Sequence, residues 1–457
     1  MKISPSGNRN PRRFAVGFGA VAVTSALVLT GCATDSADGP TTVTIAVVAN
    51  PQMEDLEKLS AVFEEENPDI NVEFAVLPAD QLKDNVTKDI ATKAGQYDLV
   101  MLGPDQGQLW ANLGWLENLS PFAAEDAAYD IDDIIPSVRD SLSLDGDLYV
   151  APFYAEGGML AYREDLFEAA GLVMPERPTW DEVAEFAAAL NVPGETAGIC
   201  LRGVPNSGGS AMTLITMMDA FGGALYDMDW KATVSSPEAT AATEMYIDLI
   251  TNYGEPGAST AGFNECLTSY AQGQSAMWYD ATVASSIIED PESSAIVGKS
   301  GYVLPPTAAE KEAVSFYWSW GIGMPTTSDD KDAAWKFLSW ATSKDYISLV
   351  GEELGYVRIP PGTRLSTYEI PEYLAEGEAF AQITLDSIAA VDIVNPGPAE
   401  RPYKGGGWMD IAEGPNLETQ FAQEITAIIT GDQDIPTALA KIDKIFNESA
   451  IATGLQK

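Results

Sequence analysis

Three places in the sequence set an aromatic ring beside a polar group. Tyr154 stands two residues before Glu156, Trp278 two before Asp280, and Trp318 and Trp320 run up to Gly321. That combination suits polyhydroxylated ligands. The C–H faces of a sugar or polyol pack on aromatic rings, and its hydroxyls pair with charged or amide groups that bond two at a time. Each of these tryptophans would serve equally as a core or interface anchor. Trp335 and Trp340, at helical spacing with Phe337 and Leu338, read as core.

Catalytic chemistry has fewer candidates. The chain has no histidine, which removes imidazole bases, His–metal sites and the usual Ser-His-Asp triad. Three cysteines are too few for a four-thiolate zinc site, so neither a metal nor a cofactor is expected. Gly298-Lys299-Ser300 lacks the first glycine of a phosphate loop, because position 293 is Ser293. Gly257-Ala258-Ser259-Thr260-Ala261 misses the nucleophile elbow by its last glycine. The aspartate runs at 130–133, 227–229 and 432–434 lack the glycine and terminal glutamate of a calcium loop. A carboxylate pair of the glycoside-hydrolase kind stays open, since 68 acidic residues permit any pairing.

The same acidity constrains partners. With 68 acidic against 25 basic residues the net charge is −43. Such a surface repels nucleic acid and anionic headgroups, and it is compatible with a neutral or cationic ligand. A length of 457 residues with 46% hydrophobic content allows two or three packed units.

The elements that must position these residues begin after a leader. Residues 1–31 hold Lys2, Arg9, Arg12 and Arg13, no acidic residue, and an apolar run from Phe14 to Thr30. This is the pattern of an export signal. It ends in Leu29-Thr30-Gly31-Cys32, which resembles a bacterial lipobox with Cys32 as the lipidated mature N-terminus; a plain signal peptide is the alternative. Residues 32–42 read as a flexible tether. Export permits disulfides, and Cys200 with Cys266 is one possible pair, two separate buried thiols being the other reading.

Thr42–Val48, Ile70–Val76 and Tyr97–Leu102 read as strands, separated by helical patterns over Gln52–Glu66 and Leu82–Ala94. A β-α-β-α-β order implies a parallel sheet with ligands beyond the C-terminal strand ends. Asn50 and Asp105 sit just past the first and third strands and are ligand candidates, with helix capping as the competing role. Gly146–Arg163 then begins as a strand, meets Pro152, and places Tyr154 and Glu156 in a glycine-bracketed turn. It is expected to cross from one lobe to another. Thr179 and Glu182 fit a capping box ahead of a helix from Trp180 to Leu190. The last third of the chain reads as mainly helical.

Asp147–Phe167 (DLYVAPFYAEGGMLAYREDLF) and Ala271–Ser285 (AQGQSAMWYDATVAS) resemble the two hinge crossings of the carbohydrate-binding solute receptors of bacterial ABC importers, the family 1 solute-binding proteins. Segments 236–265, 276–284, 332–351 and 359–373 are similar to the sorbitol/mannitol branch of that family. The chain departs from the branch at Gly157-Gly158 and at Lys404–Trp408. The resemblance implies an α/β, two-lobed type II periplasmic-binding fold with strand hinges. The lobes would be 43–152 with 281–325, and 153–280 with 326–457.

It further implies a non-enzymatic, monomeric, lipid-anchored receptor on the outer face of the cell membrane. Such a receptor closes on a polyol or small sugar and docks on the transmembrane permease subunits. Tyr154, Glu156, Trp278, Asp280 and Trp318 would face the cleft with Asn50 and Asp105, followed by Arg202, Trp320, Tyr356, Arg358 and Trp408. An oligosaccharide, an amino sugar or a glycerophosphodiester on the same fold is the alternative ligand. A secreted glycoside hydrolase and a surface adhesin are the rivals outside the family.

Overall fold

The computed structural model describes residues 39–308 and 314–456. The export signal, Cys32 and most of the tether lie outside that range. Residues 40–457 form one compact unit.

The strands are β1 (Thr41–Val48), β2 (Ile70–Leu77), β3 (Leu99–Leu102), β4 (Ser143–Leu144), β5 (Asp147–Leu148), β6 (Val150–Arg163), β7 (Met277–Ala281), β8 (Ser300–Val303) and β9 (Tyr317–Gly323). β1 runs parallel to both β2 and β3, as the β-α-β-α-β order requires. β9 joins antiparallel between β3 and β6. Three helices follow the first strands: α1 (Pro51–Glu66), α2 (Ala79–Thr92) and α3 (Pro104–Asn112). Proline opens α1 and α3, where its missing N–H costs nothing.

β6 is the spine of the molecule. Its first half, Val150–Gly157, pairs with β9, and its second half, Gly158–Arg163, pairs with β7 and β8. One unbroken strand therefore serves two sheets. The expected turn at Tyr154 and Glu156 does not form. Pro152, which cannot donate to a ladder, is absorbed as a bulge, the register shifting between Pro152 and Tyr154. Beyond it the backbone stays extended because the helix Ala381–Ala389 lies tight against it. A Cβ on Gly157 would stand 2.2 Å from Ser387 Oγ. The departure at Gly157-Gly158 is thus a packing feature, with Gly158 held by Ser315 Oγ and Ser387 Oγ at 2.7 Å each.

Two segments pack away from the lobe that the sequence reading assigns them. β8, placed with the first lobe, pairs with the second half of β6. The helix Lys331–Ala341, placed with the second, packs on α1 and β1 and brings Phe337 5.1 Å from Phe63. The cause is a further return of the chain: after the helix Lys344–Leu354 it passes back toward β8, where Phe380 meets Tyr302. The Trp180–Leu190 helix carries the Thr179–Glu182 capping box, and Trp335 is core.

Candidate functional site

The pairing of β6 with β9 assembles the site. Tyr154 lies opposite Trp320 and Glu156 opposite Trp318, so four side chains share one face of the sheet. Trp318 and Trp320 meet edge to face at 5.4 Å. The outer edge of the Trp318 indole rests on Gly103, which precedes α3; a Cβ there would lie 2.1 Å from the ring. Trp408 stands perpendicular to Trp318 at 6.4 Å and donates its Nε1–H to Tyr317 O at 3.1 Å.

Polar groups close around these rings. Asn50 caps α1, its Oδ1 accepting from Met53 N, and its Nδ2 donates to the Tyr154 hydroxyl at 2.9 Å, which ties it to the cluster. Arg202 donates from Nε to Asp280 Oδ2 at 2.8 Å and from Nη2 to Oδ1, a bidentate pair. Burial would lower the Arg202 pKa, but the carboxylates of Asp280 and Glu156 more than offset it. Glu156 is pushed up to about 8 by burial and by Asp280, with Arg202 opposing. Asp105 is raised by burial, and its Oδ1 is buried without a hydrogen-bond partner. Trp318 Nε1 is likewise buried and unpaired.

Three expected contacts take other positions. Trp278 is fully buried between Phe263 and Tyr270, and its Nε1 donates to Asp280 Oδ2 at 3.1 Å. It orients the carboxylate and offers no open face. Tyr356 packs on Gly351 among Glu352, Glu372 and Glu376, apart from the cluster. Arg358 is engaged by Asp55 and Asp290. Tyr356 and Arg358 rest on the family resemblance and Trp278 also on its place beside Asp280, and neither signal reveals which way a strand or turn faces.

Sequence reasoning missed Glu418. Its carboxylate accepts from Met409 N at 2.7 Å, beside Trp408, and is pushed up to about 8 by burial and by nearby Asp105. The available signal was a carboxylate on the apolar stripe of the helix Gly414–Ile429, in line with Phe421, Ala422 and Ile425.

Cys200 and Cys266 are bridged, their Cα atoms 5.7 Å apart. The bridge ties the segment two residues before Arg202 to the helix Phe263–Ala271. Among the described residues the grouping that resembles a metal site is Cys200, Glu255 and Cys266, and the bridge consumes both sulfurs. A surface depression of about 450 Å³, lined by Glu255, Asn264, Glu265 and Gln274 among others, shares no residue with the cluster and has no aromatic lining. On chemical grounds the aromatic–carboxylate cluster is the stronger candidate.

A strand shared by two α/β sheets, with rings and carboxylates gathered at the junction, defines a receptor for a polar small molecule. The chain belongs to the bacterial extracellular solute-binding protein family, which it matches over residues 48–347. It is 42% identical over 405 residues to a mannitol-binding protein of Pseudomonas aeruginosa, covering 88% of this chain and 92% of the relative. An erythritol/L-threitol-binding protein of Mycolicibacterium smegmatis is 25% identical over 66% of this chain and 67% of its own. Among solved structures, an Agrobacterium vitis solute-binding protein with bound D-mannitol superposes with TM-score 0.88 at 39% identity, covering 91% of this chain and 99% of that one. An Agrobacterium radiobacter protein in complex with ribitol gives 0.79 at 25% identity, over 90% and 99%. The fold is the periplasmic-binding α/β fold, and the protein is an extracellular, non-enzymatic solute receptor.

Proposed function

We propose that this protein captures an acyclic polyol of the mannitol class for an ABC importer. The observation that carries the reading is that two buried polar atoms lack partners: the acceptor Asp105 Oδ1, two residues after Gly103 in the chain, and the donor Trp318 Nε1, whose ring lies against Gly103. A ligand hydroxyl both donates and accepts, so it satisfies such a pair. Glu156 and the Arg202–Asp280 fork supply further bidentate partners, and Trp318, Trp320 and Trp408 supply faces for C–H groups. Similarity to mannitol- and ribitol-binding proteins supports the same class.

Titration calorimetry with D-mannitol, D-sorbitol and ribitol is expected to give saturable binding to at least one. Heat from none of them, with binding of a maltodextrin or a glycerophosphodiester instead, overturns the polyol reading.

Two halves close on the ligand in this proposal. One is residues 41–157 with 317–354, and the other 158–308 with 371–456, joined along β6. Closure gains stability only from contacts that are better in the closed state, and the closed form is what the permease subunits would receive. Cys32, at the end of the leader, would carry the lipid. Cys32→Ser is then expected to shift the protein from the membrane fraction to the medium or periplasm; unchanged membrane retention rules the anchor out.

A further inference from the structure

Arg358 was a ligand candidate by sequence, but carboxylates occupy every nitrogen of its guanidinium. Nε donates to Asp55 Oδ2 at 3.0 Å, Nη2 to Asp55 Oδ1 and Oδ2 at 2.7 and 2.8 Å, and Nη1 to Asp290 Oδ2 at 2.8 Å. The side chains are mostly buried, at 17% exposure for Arg358, 11% for Asp55 and 7% for Asp290.

The two acids belong to different halves. Asp55 lies on α1, which packs on β2 and on the helix Lys331–Ala341. Asp290 follows the helix Ala284–Ile288 and is fixed by Glu292 N at 2.9 Å and Ser293 Oγ at 2.8 Å. Its neighbour Glu289 accepts from Gly298 N and from the hydroxyl of Tyr302 on β8. Arg358 itself sits in the short turn Tyr356–Arg358, where the chain leaves the helix Lys344–Leu354.

We propose that Arg358 is a clasp that joins Asp55 on one half to Asp290 on the other and holds the receptor closed, without touching the ligand. This rests on the two-half reading given above. Opening must break one side of the triad and return two charged groups to water. The planar fork binds Asp55 through Nε and Nη2 while Nη1 reaches Asp290, a fixed geometry that the point-like ammonium of a lysine does not reproduce. Because the clasp exists in one conformation and not in the other, it biases the equilibrium between them. It therefore governs how long ligand is held more than how fast it enters, as is usual for close, desolvated charge pairs.

The test is stopped-flow tryptophan fluorescence of D-mannitol release from the wild-type full-length chain and from Asp290→Asn. Release is expected to be about 10-fold faster in the variant, with the association rate within about 2-fold of wild type. The double variant Arg358→Lys with Asp290→Asn should release no faster than Asp290→Asn alone, a coupling that loss of packing would not give. Equal release rates in wild type and Asp290→Asn, or additive effects in the double variant, overturn the clasp. If the wild-type chain takes up no D-mannitol, the polyol reading fails first, and the clasp is judged without ligand. Small-angle scattering should then give a larger radius of gyration for Asp290→Asn than for wild type, and identical values overturn it. If Asp290→Asn does not fold, Arg358→Lys is measured in the same way and is expected to show the same direction of change.

Discussion

Asp105 and Trp318 show how a residue can be costly to the fold and useful to function. A buried carboxylate oxygen without a partner destabilises the chain that carries it, because water has been removed and nothing replaces it. Asp105→Ala is expected to weaken D-mannitol binding by about 1.5–3 kcal/mol, the range for a hydrogen bond to a charged group. The same change should leave the urea midpoint of the ligand-free protein level or raise it. Calorimetry and denaturant titration together check this, and a parallel loss of affinity and stability would return Asp105 to a structural role. Residue type and motif resemblance put forward Tyr154, Glu156, Asp280 and Trp318, and the structure gathers them in one cluster. Residue type could not separate Trp278, which faces the Phe263–Tyr270 core, from Trp318, because both are tryptophans near strand ends flanked by polar residues. Glu418 was hidden for the opposite reason: one carboxylate among 68 acidic residues carries no signal until its helix face is known to be buried.

At the scale of elements, β6 and its neighbours decide the geometry of the site. Tyr154 and Glu156 reach the same face as Trp320 and Trp318 only because the bulge at Pro152 sets that register. Gly157 keeps the strand straight under the helix Ala381–Ala389, where Ser387 leaves no room for a side chain. Gly157→Ala should therefore cost about 1–3 kcal/mol of stability, the usual penalty for forcing a methyl into a packed core. Denaturant unfolding measures it, and an unchanged midpoint would mean that the helix moves aside freely. The strand and helix patterns before residue 102 were legible since period-2 and period-3.6 spacing is local information. The register of β6 on β9 was not, because the partners are more than 150 residues apart and no local rule pairs them.

For the whole molecule, burial of acids sets the response to pH. Glu156 and Glu418 are each pushed up to about 8 in the fold, from 4.5. Between those limits the folded chain holds protons that the unfolded chain has released. Their contribution is then greatest below about 4.5 and is lost as pH rises toward about 8. The aspartates lowered by their partners, among them Asp165 and Asp290, act in the opposite sense but only at lower pH, as their carboxylates become protonated. The melting temperature of the ligand-free protein should accordingly fall from pH 5 to pH 8, and Glu418→Gln should flatten the slope. Equal slopes in both proteins would show that Glu418 is ionised in the fold.

The sequence by itself determined the parallel three-strand start, the absence of imidazole chemistry and of a four-thiolate metal site, and the segments that resemble solute receptors. These depend on composition, on short-range periodicity or on contiguous motifs, all of which are present before the chain folds. Tertiary structure alone decided which aromatic residues share a face, that Gly157 must stay bare, and that Arg358 serves two aspartates. Asp55, Asp290 and Arg358 are separated by 235 and 68 positions and meet only because the chain passes back between the two sheets. The energy of such contacts depends on distance and on exclusion of water, and neither is written in the order of residues.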